Sequence, residues 1–153
     1  MPLSNEQLAE LVGPNRTLKI ICGVMMMGLV FFGVILCTII DFQNLNTDLV
    51  MLVAMASGFG MVMYMMSFVM FKVLTRQTEA KSADPLSHFS VLQTAWIVRF
   101  AMIEGACFLN LIVTLLQDSL ITLFVALLGL LVMLICFPRS GVVEELLEDR
   151  MRG

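Results

Sequence analysis

Trp96-Ile-Val-Arg99-Phe-Ala-Met-Ile-Glu104-Gly-Ala-Cys-Phe108-Leu-Asn110-Leu-Ile-Val-Thr-Leu-Leu116 is an apolar run with one carboxyl group, Glu104, near its middle. About 20 residues at ~1.5 Å each cross the hydrocarbon core of a bilayer. This run is long enough, and as a spanning helix it carries Glu104 close to the depth of the bilayer centre. The rest of the chain has the same character. Of 153 residues, 59% are hydrophobic and 14% charged, with a mean hydropathy of +0.96. Soluble domains are nearer half apolar and a quarter charged. Lipid, rather than water, is the outer solvent such a composition requires.

Outward from that stretch, three further runs read as spans. Residues 20–40 and 120–137 contain no charge at all, and residues 49–71 contain none before Lys72. With residues 95–116 they give four transmembrane helices in one membrane domain. The connection Gln117-Asp-Ser119 is so short that the third and fourth helices form an antiparallel hairpin, and the first two form another across Asp41–Asp48. The fold class expected is therefore all-α, with two hairpins. Short amphipathic helices are expected at both termini. Ser4 and Gln7 fit a capping box, and Gly13-Pro14-Asn15 would end the N-terminal helix. Val142 to Arg152 alternates apolar and acidic residues at helical spacing. Asp84-Pro85 reads as an N-cap followed by proline at the first helical position. The third helix then starts ahead of its membrane entry, with His88 and Gln93 solvated, Trp96 at the interface, and Arg99 snorkelling back to the headgroups.

Orientation follows from charge. Arg16, Lys19, Lys72, Arg76, Lys81, Arg99, Arg139, Arg150 and Arg152 all fall in segments 1–19, 72–94 and 138–153 or at the helix end beside them. The other two loops carry Asp41, Asp48 and Asp118 and no basic residue. The positive-inside rule puts both termini in the cytoplasm. The apolar run begins too far in, and is too long, for a cleaved signal peptide. A shift of 77 residues lays Thr17 on Thr94, Gly28 on Gly105 and Phe31 on Phe108, as two related hairpins would, with Met27 opposite Glu104.

Several chemistries are set aside. Cys22, Cys37, Cys107 and Cys136 all lie within apolar runs, without metal-ligand or disulfide-framework spacing, and read as small packing residues. His88 has no second histidine or cysteine near it. Fourteen methionines, with Met51/Met55, Met61/Met65 and Met66/Met70 each four apart, are read as lipid-facing and packing side chains rather than a copper path. No metal, no cofactor and no nucleic acid is expected, and no nucleophile–base pair or phosphate loop marks an enzyme. Small residues recur instead. Ala54/Gly58 and Ala56/Gly60 in the second span, and Ala101/Gly105 in the third, stand four apart, a spacing that lets helix backbones approach within a chain or between subunits.

Glu104 is the residue this reading singles out. An ionised carboxylate at the bilayer centre costs at least about 2.5–3.5 kcal/mol, so the group must be neutral or partnered. Arg99 lies about 140° away around the same helix, a poor partner within one chain, though a neighbouring subunit's Arg99 remains open. Asn110, Ser57, Tyr64, Ser67 and Thr38 are the candidate hydrogen-bond partners of Glu104, with Thr38 near the outer end. Ala101 to Val113 resembles the ion-binding helix of rotor-ring proteolipids, the c-subunits of rotary ATPases, with alanine, glutamate three later, a small residue and a Leu-Ile-Val stretch. That resemblance implies that Glu104 binds a proton or cation and that subunits form a ring. It covers positions 101–113 alone; the carboxylate's helix, the glycine-repeat helix and the orientation all differ from that family. Two functions follow as expectations. One is a homo-oligomeric bundle with a structural or assembly role; the alternative is a proton- or cation-handling channel or transport component built on Glu104.

Overall fold

The computed structural model describes residues 5–41, 43–76, 85–139 and 141–143, with the backbone alone for 5–11, 85 and 86. Four helices are present: α1 (Asn5–Ile39), α2 (Met51–Arg76), α3 (Pro85–Gln117) and α4 (Leu120–Ile135). The described residues contain no strand, only a single-residue bridge between Asn46 and Ser119. Val12–Ile39, Met51–Arg76 and Ser87–Gln117 are each long and apolar enough to cross a membrane. The α4 helix is more apolar still but has 16 residues, roughly 24 Å at helical rise.

The bundle is organised by α3, which packs against α1, α2 and α4; α2 also meets α4. Half of the apolar window of α3 is buried, against 17% for α1. The first two helices, expected as a hairpin, barely meet; the neighbour of α1 is α3. The seam on α1 is a narrow stripe of Leu18, Cys22, Leu29, Leu36 and Ile40, close to the seven-residue repeat of coiled-coil packing. Phe32 meets Phe108 edge to face at 5.5 Å, and Gly28 faces Glu104. Both pairs are 76 residues apart, so α1 and α3 lie parallel, one residue from the register of the sequence repeat. On its other sides α1 leaves Val24, Met27, Phe31 and Val34 mostly exposed. Apolar side chains laid bare on this scale have a favourable surrounding in lipid.

The break expected at Gly13-Pro14-Asn15 is absent, because α1 runs through Pro14. Proline removes one helical hydrogen bond, at about 3 kcal/mol in a helix interior, but its fixed φ is itself helical. Beside it, the Thr17 hydroxyl donates to the Gly13 carbonyl at 3.2 Å. The N-terminal amphipathic helix is thus the start of α1 rather than a separate element. Ser4, Leu3 and the side chains of Leu8 and Leu11 lie outside the described residues, as do Asp84 and the tail from Glu144 to Arg152. Gly141 to Val143 are helical, and Val143 is buried.

At one end of the bundle the two short connections are tied together. The Asn46 backbone N–H donates to the Asp118 carbonyl (2.8 Å) and its carbonyl accepts from the Leu120 N–H (2.9 Å). Its side-chain amide donates to the Gln117 carbonyl at 2.9 Å. Asp118 turns the corner with φ 44, a left-handed conformation that a short polar side chain tolerates. Asn46→Ala removes only the side-chain bond. It should lower stability by about 0.5–1.5 kcal/mol, measured as a lower thermal midpoint in detergent, without altering the helical circular dichroism.

Candidate functional site

Glu104 is half-buried on α3 at the seam with α1. Gly28 faces it: a β-carbon there would stand 3.8 Å from Oε1, an ordinary van der Waals contact. Glu104 makes no hydrogen bond or ion pair among the described residues. None of the polar groups named for it is engaged with it. Asn110 lies about 120° around α3 from Glu104 and turns inward, donating to the carbonyls of Ala56 (3.2 Å) and Ala106 (2.9 Å). Tyr64 donates to the Val125 carbonyl at 3.0 Å. Ser67 and Thr38 donate to carbonyls of their own helices, Tyr64 and Ile35. The Ser57 hydroxyl is enclosed without a hydrogen-bond partner.

What those inward residues build is a polar seam between α2, α3 and α4. Tyr64 Oη lies 3.3 Å from Cys107 Sγ, and Cys107 reaches the Ala126 carbonyl at 3.5 Å. Further along, Thr114 Oγ1 donates to the Asn110 carbonyl at 2.9 Å and meets Thr122 Oγ1 at 2.8 Å. Two glycines make room for it. A β-carbon on Gly129 would overlap Cys107 Sγ and Tyr64 Oη, and one on Gly60 would stand 2.6 Å from Asn110 Nδ2. Interhelical hydrogen bonds in membranes average about 0.6 kcal/mol, so this seam fixes register and rotation more than it adds stability. The sequence marks Cys107 only as a small packing residue and gives no sign of Thr114, Thr122 or Gly129. Cys107, Asn110 and Thr114 are spaced three and four apart, the signal that would have placed them on one face.

The small residues divide between two environments. Ala56 and Gly60 are buried against α3, whereas Ala54, Gly58, Ala101 and Gly105 are exposed, with open space around both glycines.

Arg99 and His88 depart from expectation. Arg99 is 8% exposed and does not snorkel outward. Its guanidinium lies over the rings of Phe68 (4.1 Å) and Phe71 (5.2 Å) on α2. The reason is local: aromatic faces attract a cation, and α2 presents two of them inside the reach of the side chain. His88 is 6% exposed rather than solvated, because the first turns of α3 pack into the bundle with buried Phe89 and Leu92. Trp96 also turns inward, donating from Nε1 to the Cys136 carbonyl at 3.2 Å and meeting Phe71 edge to face at 5.2 Å. For Arg99 the energetic balance is incomplete. Removing an ion from water costs several kcal/mol, and a desolvated cation–π contact returns about 2 kcal/mol. The guanidinium Nε has no hydrogen-bond partner.

No group of three or more metal-ligating side chains occurs among the described residues. No known protein family, curated protein or solved structure matches the chain.

Proposed function

We propose that this is a four-span integral membrane protein that associates with further copies of itself and serves a structural or assembly role. Both termini are assigned to the cytoplasm. The tie between Asn46 and the 118–119 turn supports placing both acidic loops at one membrane face, with the basic helix ends at the other. On this reading α4, though short, crosses as the second arm of a hairpin with α3; a few ångströms of mismatch are accommodated by tilt or local thinning. The observation that carries the assembly reading is the unused pair Ala54/Gly58. It has the spacing of the buried Ala56/Gly60 pair, yet open space lies over it. Exposed small residues at this spacing fit close approach by another helix. Sedimentation of the protein in detergent of matched density tests it: a defined oligomer is expected, and a monomer at all concentrations contradicts it.

Glu104 favours a second reading. A half-buried carboxyl without a partner, at membrane depth, is suited to taking up a proton or a small cation, as its resemblance to the rotor-ring helix also implies. Glu104→Gln keeps hydrogen bonding and removes titration. Under the assembly reading the oligomer persists and no activity changes. Under the transport reading the oligomer persists and pH-dependent flux into liposomes is lost.

A further inference from the structure

A cavity of about 260 Å³ opens where the C-terminal end of α4 meets α2 and α3, lined among others by Phe71, Trp96, Arg99, Cys136 and Arg139. Two of these are arginines. Arg99 is more than nine-tenths buried, its guanidinium backed by Phe68 and Phe71 and its Nε unpartnered. Arg139 is exposed at the rim. Neither has an ion-pair partner among the described residues. The rings of Phe68 and Phe71 back the guanidinium, its Nε is enclosed, and the side chain lines the cavity. A planar fork of donors beside a second arginine is matched by an anion with several acceptor oxygens. On the membrane reading the last turn of α4 ends at this level, beside the exposed Arg139, and basic pockets between helices near the membrane surface meet lipid headgroups.

We infer that this cavity binds a phosphate group through Arg99 and Arg139, either the headgroup phosphate of an anionic phospholipid or free phosphate. The lipid source rests on the membrane reading; the phosphate chemistry does not.

Trp96 is the chain's single tryptophan and lines the cavity, so its fluorescence reports occupancy. The full-length protein in an uncharged detergent is titrated with phosphatidylglycerol, with diacylglycerol of the same chains, and with inorganic phosphate at constant ionic strength. A saturable change with phosphatidylglycerol alone assigns a lipid phosphate. A saturable change with inorganic phosphate supports the site independently of any membrane. In either case Arg139→Gln should weaken binding roughly tenfold or more, and Arg99→Lys, which keeps the charge and loses the fork, should also weaken it. Both variants avoid leaving the buried position neutral, and Arg99→Gln should abolish binding where it folds. No saturable change with phosphatidylglycerol or phosphate, an equal response to diacylglycerol, or affinity unaltered in Arg139→Gln and Arg99→Lys would overturn the inference.

Discussion

Gly129→Val should lower the thermal midpoint of the protein in detergent by roughly 6–12 °C, the equivalent of about 3 kcal/mol for a chain of this size. Two opposing effects act at this position. Glycine inside a helix is worse than alanine by about 1 kcal/mol, so any side chain recovers part of the backbone term. The steric effect is larger. The β-carbon alone would overlap Cys107 Sγ and Tyr64 Oη, and valine adds two further methyl groups. Neither neighbour can move freely: the Tyr64 hydroxyl is bonded to the Val125 carbonyl, and Cys107 is packed beneath Ala126. Helix α4 would have to lift from α2 and α3 together. Gly129→Ala should show the same direction with a smaller fall, and Gly129→Val paired with Tyr64→Phe should regain part of the loss. A midpoint unchanged in Gly129→Val would mean that α4 does not pack at this register.

Two valines placed two residues apart on α2 should have opposite consequences. Gly60→Val drives a β-carbon toward Asn110 Nδ2 at 2.6 Å and Val125 Cγ1 at 3.1 Å. The Asn110 Nδ2 donates to the carbonyls of both Ala56 and Ala106, and its displacement leaves that buried donor unsatisfied. A loss of about 2–3 kcal/mol is expected. Gly58→Val meets nothing within 4 Å. Its fold should be intact, with an unchanged or slightly raised thermal midpoint, while the assembly reading predicts that the oligomer it proposes dissociates, because two methyl groups would hold a neighbouring backbone away. Thermal melts and sedimentation of the same two preparations read both effects. Gly58→Val with its oligomer intact would remove the Ala54/Gly58 face from the assembly reading.

The apolar runs made the helices legible, because a 20-residue stretch without charge needs no tertiary context to be read. The start of α3 at Pro85 was legible for a similar reason: proline at a first helical position is a local signal. Which helix neighbours which was not. Residues 20–39 of α1 and the whole of α4 are apolar on nearly every side, so periodicity marks no buried face there, and the central place of α3 emerges only from packing. The Gly13-Pro14 signal misled because proline is geometrically compatible with a helix and its lost hydrogen bond is only one of many along α1. A general preference for the interface misplaces Arg99 because Phe68 and Phe71 wait on another helix, and His88 because the first turns of α3 pack inward with Phe89 and Leu92. Glu104 was visible at once as the carboxyl in the run, but its surroundings were not. Asn110 and Cys107, though close in sequence, turn toward α2 and α4, and the residue that faces the carboxyl is a glycine 76 positions earlier.

Thiol accessibility in intact cells tests the four-span threading most directly. Single cysteines are introduced as Asp48→Cys and Asp118→Cys in the two acidic loops, and as Val12→Cys and Val142→Cys toward the termini; each is challenged with a membrane-impermeant reagent, with the parent chain as the blank. None of these changes removes a basic residue, so the charge asymmetry that sets orientation is kept. The account predicts labelling of the first pair from outside and of the second pair only after the membrane is opened. Labelling at 48 with protection at 118, or all four positions reacting from one side, would contradict it.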